Sequence, residues 1–173
     1  MTSLAAFPGS FNPPTLAHLA MAEATVRQCG VSRVDLVLSR VALAKESVTR
    51  PTVDERAAVL HAVAANGRPW LGVVVTDDQL LVDIAAGYDV LVLGADKWTQ
   101  VLDVAFYDGS PTARDDAVAR LPRIAVATRG DHALPAGPGV VPLDVDVGHI
   151  SSTAARAGAH DLMLPEALAS GLW

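Results

Sequence analysis

Short apolar runs alternate with longer helix-forming stretches along the chain, and this alternation is the strongest constraint on its fold. The pattern predicts six strands, at residues 3–7, 33–39, 70–75, 88–93, 123–128 and 140–143. Most of these strands are apolar on both faces, which is typical of a parallel sheet covered by helices on two sides. The sequence therefore predicts one doubly wound, Rossmann-like α/β domain over residues 1–173, with ligands bound at the carboxyl ends of the strands.

Helix signals lie between the predicted strands. A helix rich in alanine and leucine is predicted over 16–28, with Gly30 as its stop. The pattern Thr52-x-x-Glu55 has the form of a capping box and opens a helix that continues to Ala64. The remaining predictions are a short helix opened by Ser151, a last helix over 165–170 and an irregular loop over 103–114.

Composition and charge exclude several function classes. Of the 173 residues 51% are apolar and 18% are charged, which excludes intrinsic disorder. The net charge of −6 disfavours nucleic acid and anionic membranes as partners. The single cysteine, Cys29, excludes an intrachain disulfide and a cysteine-built zinc site. The uncharged start of the chain contains three prolines and lacks a basic segment, so it fits neither a membrane span nor an export signal, and we expect a cytoplasmic protein.

The most informative stretch leads from the first strand into the first helix and reads Phe7-Pro-Gly-Ser-Phe-Asn-Pro-Pro-Thr-Leu-Ala-His18. Gly9 and Ser10 allow the backbone to approach a ligand closely, and the N–H groups that open the helix attract phosphate. Thr15 and His18 are three residues apart, so their side chains lie on one side of the helix. There His18 can donate a hydrogen bond to a phosphate oxygen. An ordinary strand–turn–helix connection with a capping threonine is the alternative interpretation.

A second anion-binding pattern lies near the other end of the chain, where residues 150–156 read Ile-Ser-Ser-Thr-Ala-Ala-Arg. Ser151, Ser152 and Thr153 bring hydroxyl and backbone donors to a helix start. Arg156 follows one turn later, with a guanidinium that can fork onto phosphate oxygens. Taken alone, this segment is also compatible with a serine-capped helix and a surface arginine. If both motifs bind one nucleotide, they have to meet in the folded chain.

The two motifs resemble the signatures of the nucleotidyltransferase α/β superfamily. The first is especially similar to nicotinamide and nicotinate mononucleotide adenylyltransferases, because it matches Gly-Ser-Phe-Asn-Pro-x-Thr-x-x-His, with Ala17 where many members have glycine. The second matches their Ile-Ser-Ser-Thr-x-x-Arg pattern. Weaker similarity continues at Lys45, at Leu93-Gly-Ala-Asp96 and at Arg129.

The resemblance implies an enzyme that transfers AMP from ATP to a phosphorylated acceptor and releases pyrophosphate. A nicotinate or nicotinamide mononucleotide is the expected acceptor, which would place the reaction in NAD biosynthesis. The implied catalytic residues are Thr15, His18, Lys45 and Arg156. The implied nucleotide-binding residues are Gly9, Ser10, Phe11, Gly94, Asp96, Ser151, Ser152 and Thr153. Trp98 and Arg129 are candidate substrate contacts. Magnesium is expected to accompany ATP and to be held mostly by phosphate oxygens and water, because the sequence shows no carboxylate cage for it.

Two departures from the family pattern leave the acceptor open. Bacterial nicotinate enzymes usually carry Y-T-x-x-T-L before the fourth strand, whereas residues 77–87 here include Asp77, Asp78 and Asp83. These carboxylates would repel an anionic nicotinate if they faced it. The segment 80–83 is also faintly similar to phosphopantetheine adenylyltransferases.

Other functions also stay open. A cytidylyltransferase of the same fold and a nucleotide-binding protein without turnover are both compatible with the sequence. The P-loop pattern and the G-x-G-x-x-G fingerprint are both missing. The sequence does not determine the oligomeric state, and a homo-oligomer is one of the alternatives.

Overall fold

The computed structural model describes residues 2–41 and 48–173. The strands in this part of the chain are β1 (Leu4–Pro8), β2 (Arg33–Ser39), β3 (Leu71–Thr76), β4 (Val90–Gly94), β5 (Arg123–Ala127) and β6 (Val140–Pro142). They form a six-stranded sheet in the order β3-β2-β1-β4-β5-β6, and every neighbouring pair is parallel. The chain starts at the centre, winds out to β3 and returns to place β4 beside β1. The predicted doubly wound parallel sheet is therefore confirmed.

Helices connect the strands. Those of the described residues are α1 (Leu16–Cys29), α2 (Val53–Ala65), α3 (Leu81–Ile84), α4 (Ala95–Leu102), α5 (Pro111–Ala119), α6 (Ser152–Arg156) and α7 (Pro165–Ser170). Short 3-10 helices lie at Val104–Tyr107 and His160–Leu162. In the part of the chain that the structure describes, no helix is both long and apolar enough to cross a membrane.

Local signals explain where the two longest helices begin and end. Gly30 ends α1 with a φ of 68°, a left-handed conformation that strains glycine little. Thr52 and Glu55 cap α2 reciprocally. The Glu55 N–H donates to Thr52 Oγ1 at 3.2 Å, and the Thr52 N–H donates to Glu55 Oε2 at 2.6 Å. The predicted capping box is thus present.

The prediction of an irregular loop over 103–114 is wrong. This stretch contains the 3-10 helix Val104–Tyr107 and the first turn of α5. Ser110 caps α5 by accepting from the Ala113 N–H at 3.2 Å, and Pro111 occupies the first turn. A serine directly before a proline is a helix-start signal, so the information was present locally in the sequence.

Successive residues of the central strands pack on opposite faces of the sheet. Ala5 and Phe7 belong to the large apolar cluster that includes α1, whereas Ala6 packs with Val37 and Ile84 on the other face. Both faces of β1 are therefore covered. This leaves the carboxyl ends of the strands as the place for a ligand.

Asp35 in β2 is a charged side chain inside the sheet. It is 6% exposed, and its carboxylate accepts from Arg33 Nε at 2.6 Å and from the Tyr88 hydroxyl at 3.1 Å. Burial and the neighbouring Asp35 charge raise the pKa of Tyr88 to about 12. Gly72 in β3 is the register partner of Asp35, and a Cβ there would lie 2.0 Å from Asp35 Oδ1. The position needs glycine because the Asp35 carboxylate approaches it so closely.

Candidate active site

A cavity of about 870 Å³ opens at the carboxyl ends of the central strands. Its walls come from the ends of β1, β2, β4 and β5 and from the helices α1, α2, α3, α4 and α6. Among the described residues, its charged lining consists of five cations and two carboxylates: Arg40, Arg56, Lys97, Arg129 and Arg156, with Asp96 and Asp131. The cavity is therefore cationic, although the whole chain carries a net charge of −6.

Gly9 and Ser10 line the cavity where β1 ends. The Gly9 N–H donates to the Val37 carbonyl at 3.1 Å, so it is not available to a phosphate, contrary to the sequence-based expectation. The Ser10 N–H has no partner among the described residues and is the donor that this turn can offer. A Cβ on Gly9 would lie 3.1 Å from the ring of Phe11, which is closer than an ordinary van der Waals contact.

Phe11, predicted to contact a nucleotide, is 1% exposed and does not line the cavity. Its φ of 45° is unusual for an aromatic residue. With this backbone conformation, the ring packs under Gly9 and against His18, with ring centroids 4.9 Å apart. Phe11 therefore supports the turn and the histidine from the protein interior.

His18 lines the cavity from the first turn of α1. The Thr15 N–H donates to its Nδ1 at 2.9 Å, and because a backbone N–H can only donate, this nitrogen carries no proton. The neutral ring therefore holds its proton on Nε2. Burial, and to a lesser degree the charge of Arg129, lower the pKa of His18 to about 3, so the ring is neutral near pH 7. The group that His18 offers is a neutral Nε2–H donor.

Thr15 lies behind His18 and outside the cavity lining. It is fully buried, its Oγ1 lies 3.0 Å from His18 Nδ1, and it forms a backbone bridge with Met163. Thr15 is expected to be catalytic, but the structure places it behind the His18 ring and not in the cavity lining. Its N–H and hydroxyl both lie at Nδ1 of the His18 ring, and neither contacts Nε2.

The segment 150–156, called the serine motif below, lies against the first motif, which spans residues 7–18. Ser152 Oγ donates to the Pro13 carbonyl at 2.8 Å, and Arg156 Nη1 donates to the Asn12 carbonyl. Ser151 caps α6 through its hydroxyl. The motif residues that line the cavity are Ser151, Ser152, Thr153 and Arg156. The two motifs, which are far apart in the sequence, thus meet through direct hydrogen bonds.

Gly94, Asp96 and Arg129 form the cavity wall at the ends of β4 and β5. Arg129 Nε lies 3.9 Å from Asp96 Oδ1, and Arg129 Nη1 donates to the Ile150 carbonyl at 2.5 Å. A Cβ on Gly94 would lie 2.5 Å from Asp96 Oδ1 and 2.9 Å from Arg129 Cγ, so glycine allows both side chains to approach. Arg129 thereby joins the end of β5 to the serine motif.

Trp98 does not line the cavity. The helix α4 presents Lys97 and Gln100 to it, with Lys97 Nζ 3.4 Å from Gln100 Oε1. Trp98 packs instead against the apolar cluster that contains Leu91 and Leu93. The helical period separates it from its cavity-lining neighbours, so the structure does not support the expected stacking of Trp98 on a substrate ring.

A family model described as cytidylyltransferase-like, within the nucleotidyltransferase superfamily, matches residues 6–158 and includes both motifs. The chain belongs to this family. No curated protein matches it. Among solved structures, it is similar to Plasmodium falciparum nicotinic acid mononucleotide adenylyltransferase, with TM-scores of 0.70 for the complex with NaAD and 0.69 for the complex with APC. Both comparisons have 14% identity and cover 98% of this chain and 94% of the other, and they show a shared fold.

One predicted site residue of this cytidylyltransferase-like chain is not described by the structure, and three cations of the cavity were not predicted. Lys45, expected to be catalytic, lies outside the described residues. Sequence reasoning missed the cavity cations Arg40, Arg56 and Lys97. Arg40 directly follows a predicted strand, so the rule that ligands bind at carboxyl ends could have found it. Arg56 has no such signal, because its place depends on how α2 packs against the β1–α1 turn.

Proposed function

We propose that this nucleotidyltransferase transfers the adenylyl group of ATP to the phosphate of a nicotinate or nicotinamide mononucleotide. The observation that carries the proposal is the meeting of the two motifs at one cationic cavity. The neutral His18 donor, the Ser10 turn and the guanidinium groups of Arg129 and Arg156 all line this cavity. Such a set suits a reaction in which negative charge develops on phosphate oxygens.

In the proposed reaction, an oxygen of the acceptor phosphate attacks the α-phosphorus of ATP. The new P–O bond forms as the bond to the β-phosphate oxygen breaks, and pyrophosphate leaves with that electron pair. No covalent intermediate with the protein is needed, so the chain has to position the substrates and stabilise charge. His18 donates its Nε2–H to a non-bridging oxygen, while Arg129 and Arg156 neutralise the phosphates around it.

Magnesium accompanies ATP in this proposal as part of the substrate. Within the described residues, no group of three or more histidine, cysteine, aspartate or glutamate side chains could hold a metal ion. This fits an ion that keeps most of its water and binds chiefly to phosphate oxygens. Asp96 and Asp131 are the carboxylates within the described cavity lining that could contact its water shell.

Two observations bear on the acceptor. Asp77, Asp78 and Asp83, which would repel an anionic nicotinate, are exposed and do not line the cavity. The cationic lining, which includes Lys97, favours acceptors with more negative charge. The similar Plasmodium structure, named for nicotinic acid mononucleotide and solved with NaAD, supports a pyridine acceptor.

Pyrophosphate release with ATP or CTP against a panel of acceptors tests the proposal. The panel contains both pyridine mononucleotides, phosphopantetheine and the corresponding phosphate-free nucleosides. We expect release with ATP and a pyridine mononucleotide, and none with the nucleosides. Release only with phosphopantetheine, or only with CTP, would replace the acceptor or the nucleotide. No release with any pair would contradict the proposed transfer, and binding of ATP without release would identify a nucleotide-binding protein without turnover.

A further inference from the structure

Arg56 is a buried arginine on the cavity wall that lacks an acidic partner among residues 2–41 and 48–173. The residue is 4% exposed. Its Nε donates to the Pro51 carbonyl at 3.2 Å and its Nη1 donates to the Ser10 carbonyl at 2.5 Å. None of the ion pairs between described residues involves it. A guanidinium has more N–H donors than these two carbonyls take up.

A buried charge without a counter-charge is costly, and the cost is offset when an anion binds next to it. Burial lowers the pKa of Arg56, yet an arginine stays protonated near pH 7. The side chain lines the cavity, so an anion bound there can reach the remaining N–H donors. Arg68, just after the end of α2, has the counter-charge that Arg56 lacks among the described residues, because it forms an ion pair with Glu166 at 3.0 Å.

Arg56 and Arg156 hold the same turn from two sides. Arg56 belongs to α2, which follows β2, and bonds to the Ser10 carbonyl. Arg156 belongs to α6, which follows β6, and bonds to the Asn12 carbonyl. β2 and β6 lie on opposite sides of β1 in the sheet. A direct transfer needs two phosphate groups side by side at this turn, and the two guanidinium groups can serve one each.

We propose that Arg56 binds the phosphate of the acceptor. This inference rests on the proposed function, and it assigns the Ser151–Arg156 segment to ATP. The remaining N–H donors of Arg56 bind two oxygens of a phosphate monoester in a fork. The hydrogen bond from Arg56 to the Ser10 carbonyl keeps that phosphate beside the turn at Gly9 and Ser10. An unphosphorylated acceptor would leave the charge unpaired. Arg56 therefore selects phosphate monoesters over neutral alcohols of the same shape.

Steady-state kinetics of Arg56→Lys, with Arg68→Lys as the matched control, test this inference. Arg68 also binds a backbone carbonyl, that of Val63 at 2.7 Å, but it does not line the cavity. We expect Arg56→Lys to raise the KM for the acceptor on the order of 10- to 100-fold, because an ammonium cannot replace the fork. The KM for ATP should change less than about 3-fold. Arg68→Lys should lower the melting temperature and leave both KM values unchanged.

Two kinetic results would overturn the inference. Arg56 would belong to the ATP site if its replacement raised the KM for ATP and left the KM for the acceptor unchanged. It would be a purely structural arginine if Arg56→Lys lowered the melting temperature as Arg68→Lys does and left both KM values unchanged. A second variant, Arg56→Gln, retains hydrogen bonding without the charge. It should raise the KM for the acceptor at least as much as Arg56→Lys does.

Binding of inorganic phosphate separates a failure of this inference from a failure of the proposed function. Phosphate alone should raise the melting temperature of the wild type and of Arg68→Lys, and it should raise that of Arg56→Lys much less. If no acceptor supports pyrophosphate release, the proposed function fails while this phosphate measurement still decides the role of Arg56. An equal phosphate effect in all three proteins would overturn the inference even if the enzyme is active.

Discussion

At the scale of single residues, one backbone hydrogen bond decides what His18 can contribute. Because the Thr15 N–H donates to Nδ1, the neutral ring presents Nε2–H to the cavity. Phe11 and Phe7 pack around this ring, with centroids 4.9 and 5.9 Å away, and restrict its orientation. In the proposed reaction, charge develops on the phosphate oxygens, so we expect this donor to act on turnover more than on substrate binding.

His18→Asn separates these two effects. The asparagine Oδ1 can accept from the Thr15 N–H as Nδ1 does, but no N–H reaches the place of Nε2. We expect kcat to fall on the order of 100- to 1,000-fold, with the affinity for ATP changed less than about 3-fold. His61→Asn is the matched control, because His61 is exposed on α2 and does not line the cavity. Wild-type turnover in His18→Asn would rule out the donor role.

At the scale of elements, the chain from α6 onward braces the loop that carries the first motif. Each of the residues 12–15 is held: Asn12 by Arg156 and Trp173, Pro13 by Ser152, Pro14 by Leu164 and Thr15 by Met163. The Trp173 Nε1–H donates to Asn12 Oδ1 at 2.5 Å. Since this loop also positions His18, the brace connects the closing part of the chain to the cavity.

Trp173→Phe tests the brace while it retains an aromatic ring among Val59, Met163 and Ala167. The loss of the indole N–H leaves Asn12 Oδ1 without this donor, so the free energy of unfolding should fall by about 1 kcal/mol. We expect kcat to fall roughly 3- to 10-fold through the displaced loop. Kinetics and chemical denaturation measure both values. Trp173→Phe with wild-type kcat would show that the indole bond stabilises the fold without affecting the cavity.

Gly72→Ala tests the tight contact between β2 and β3. A Cβ at this position would lie 2.0 Å from Asp35 Oδ1 and 2.3 Å from Arg33 Nη2, so the ion pair has to move. We expect the free energy of unfolding to fall by about 1–3 kcal/mol, with kcat unchanged. Gly148→Ala is the control for stability, because a Cβ there meets nothing within 4 Å. Equal stability of the two variants would contradict the contact.

At the scale of the whole molecule, the sequence predicts much of the sheet and less of the site. Strands and capping boxes depend on neighbouring residues, so β2 and the start of α2 were found where they were expected. The meeting of the two motifs was also predictable, because parallel strands share one carboxyl edge. The direction of Trp98 and the approach of Arg56 were not, since both depend on how helices pack. The contact between Asn12 and Trp173 joins residues 161 positions apart, and one sequence carries no signal for it.

His18 is one of the groups that make the stability of the folded chain depend on acid. Its pKa is 6.5 in the unfolded chain and about 3 in the folded one, so between these values the unfolded state binds more protons. The stability that depends on the neutral ring is complete above pH 6.5 and is lost progressively as the pH falls towards 3.

The wild type and His18→Asn should therefore differ in how their stability changes with pH. From pH 7 to pH 5, the wild type should lose on the order of 1–2 kcal/mol more unfolding free energy than the variant, because asparagine does not titrate. Urea denaturation of both proteins at each pH measures this difference, and every other titrating group is common to the two. Parallel pH dependences would show that the pKa of His18 is the same in the folded and the unfolded chain, and the burial of a neutral His18 ring would then be wrong.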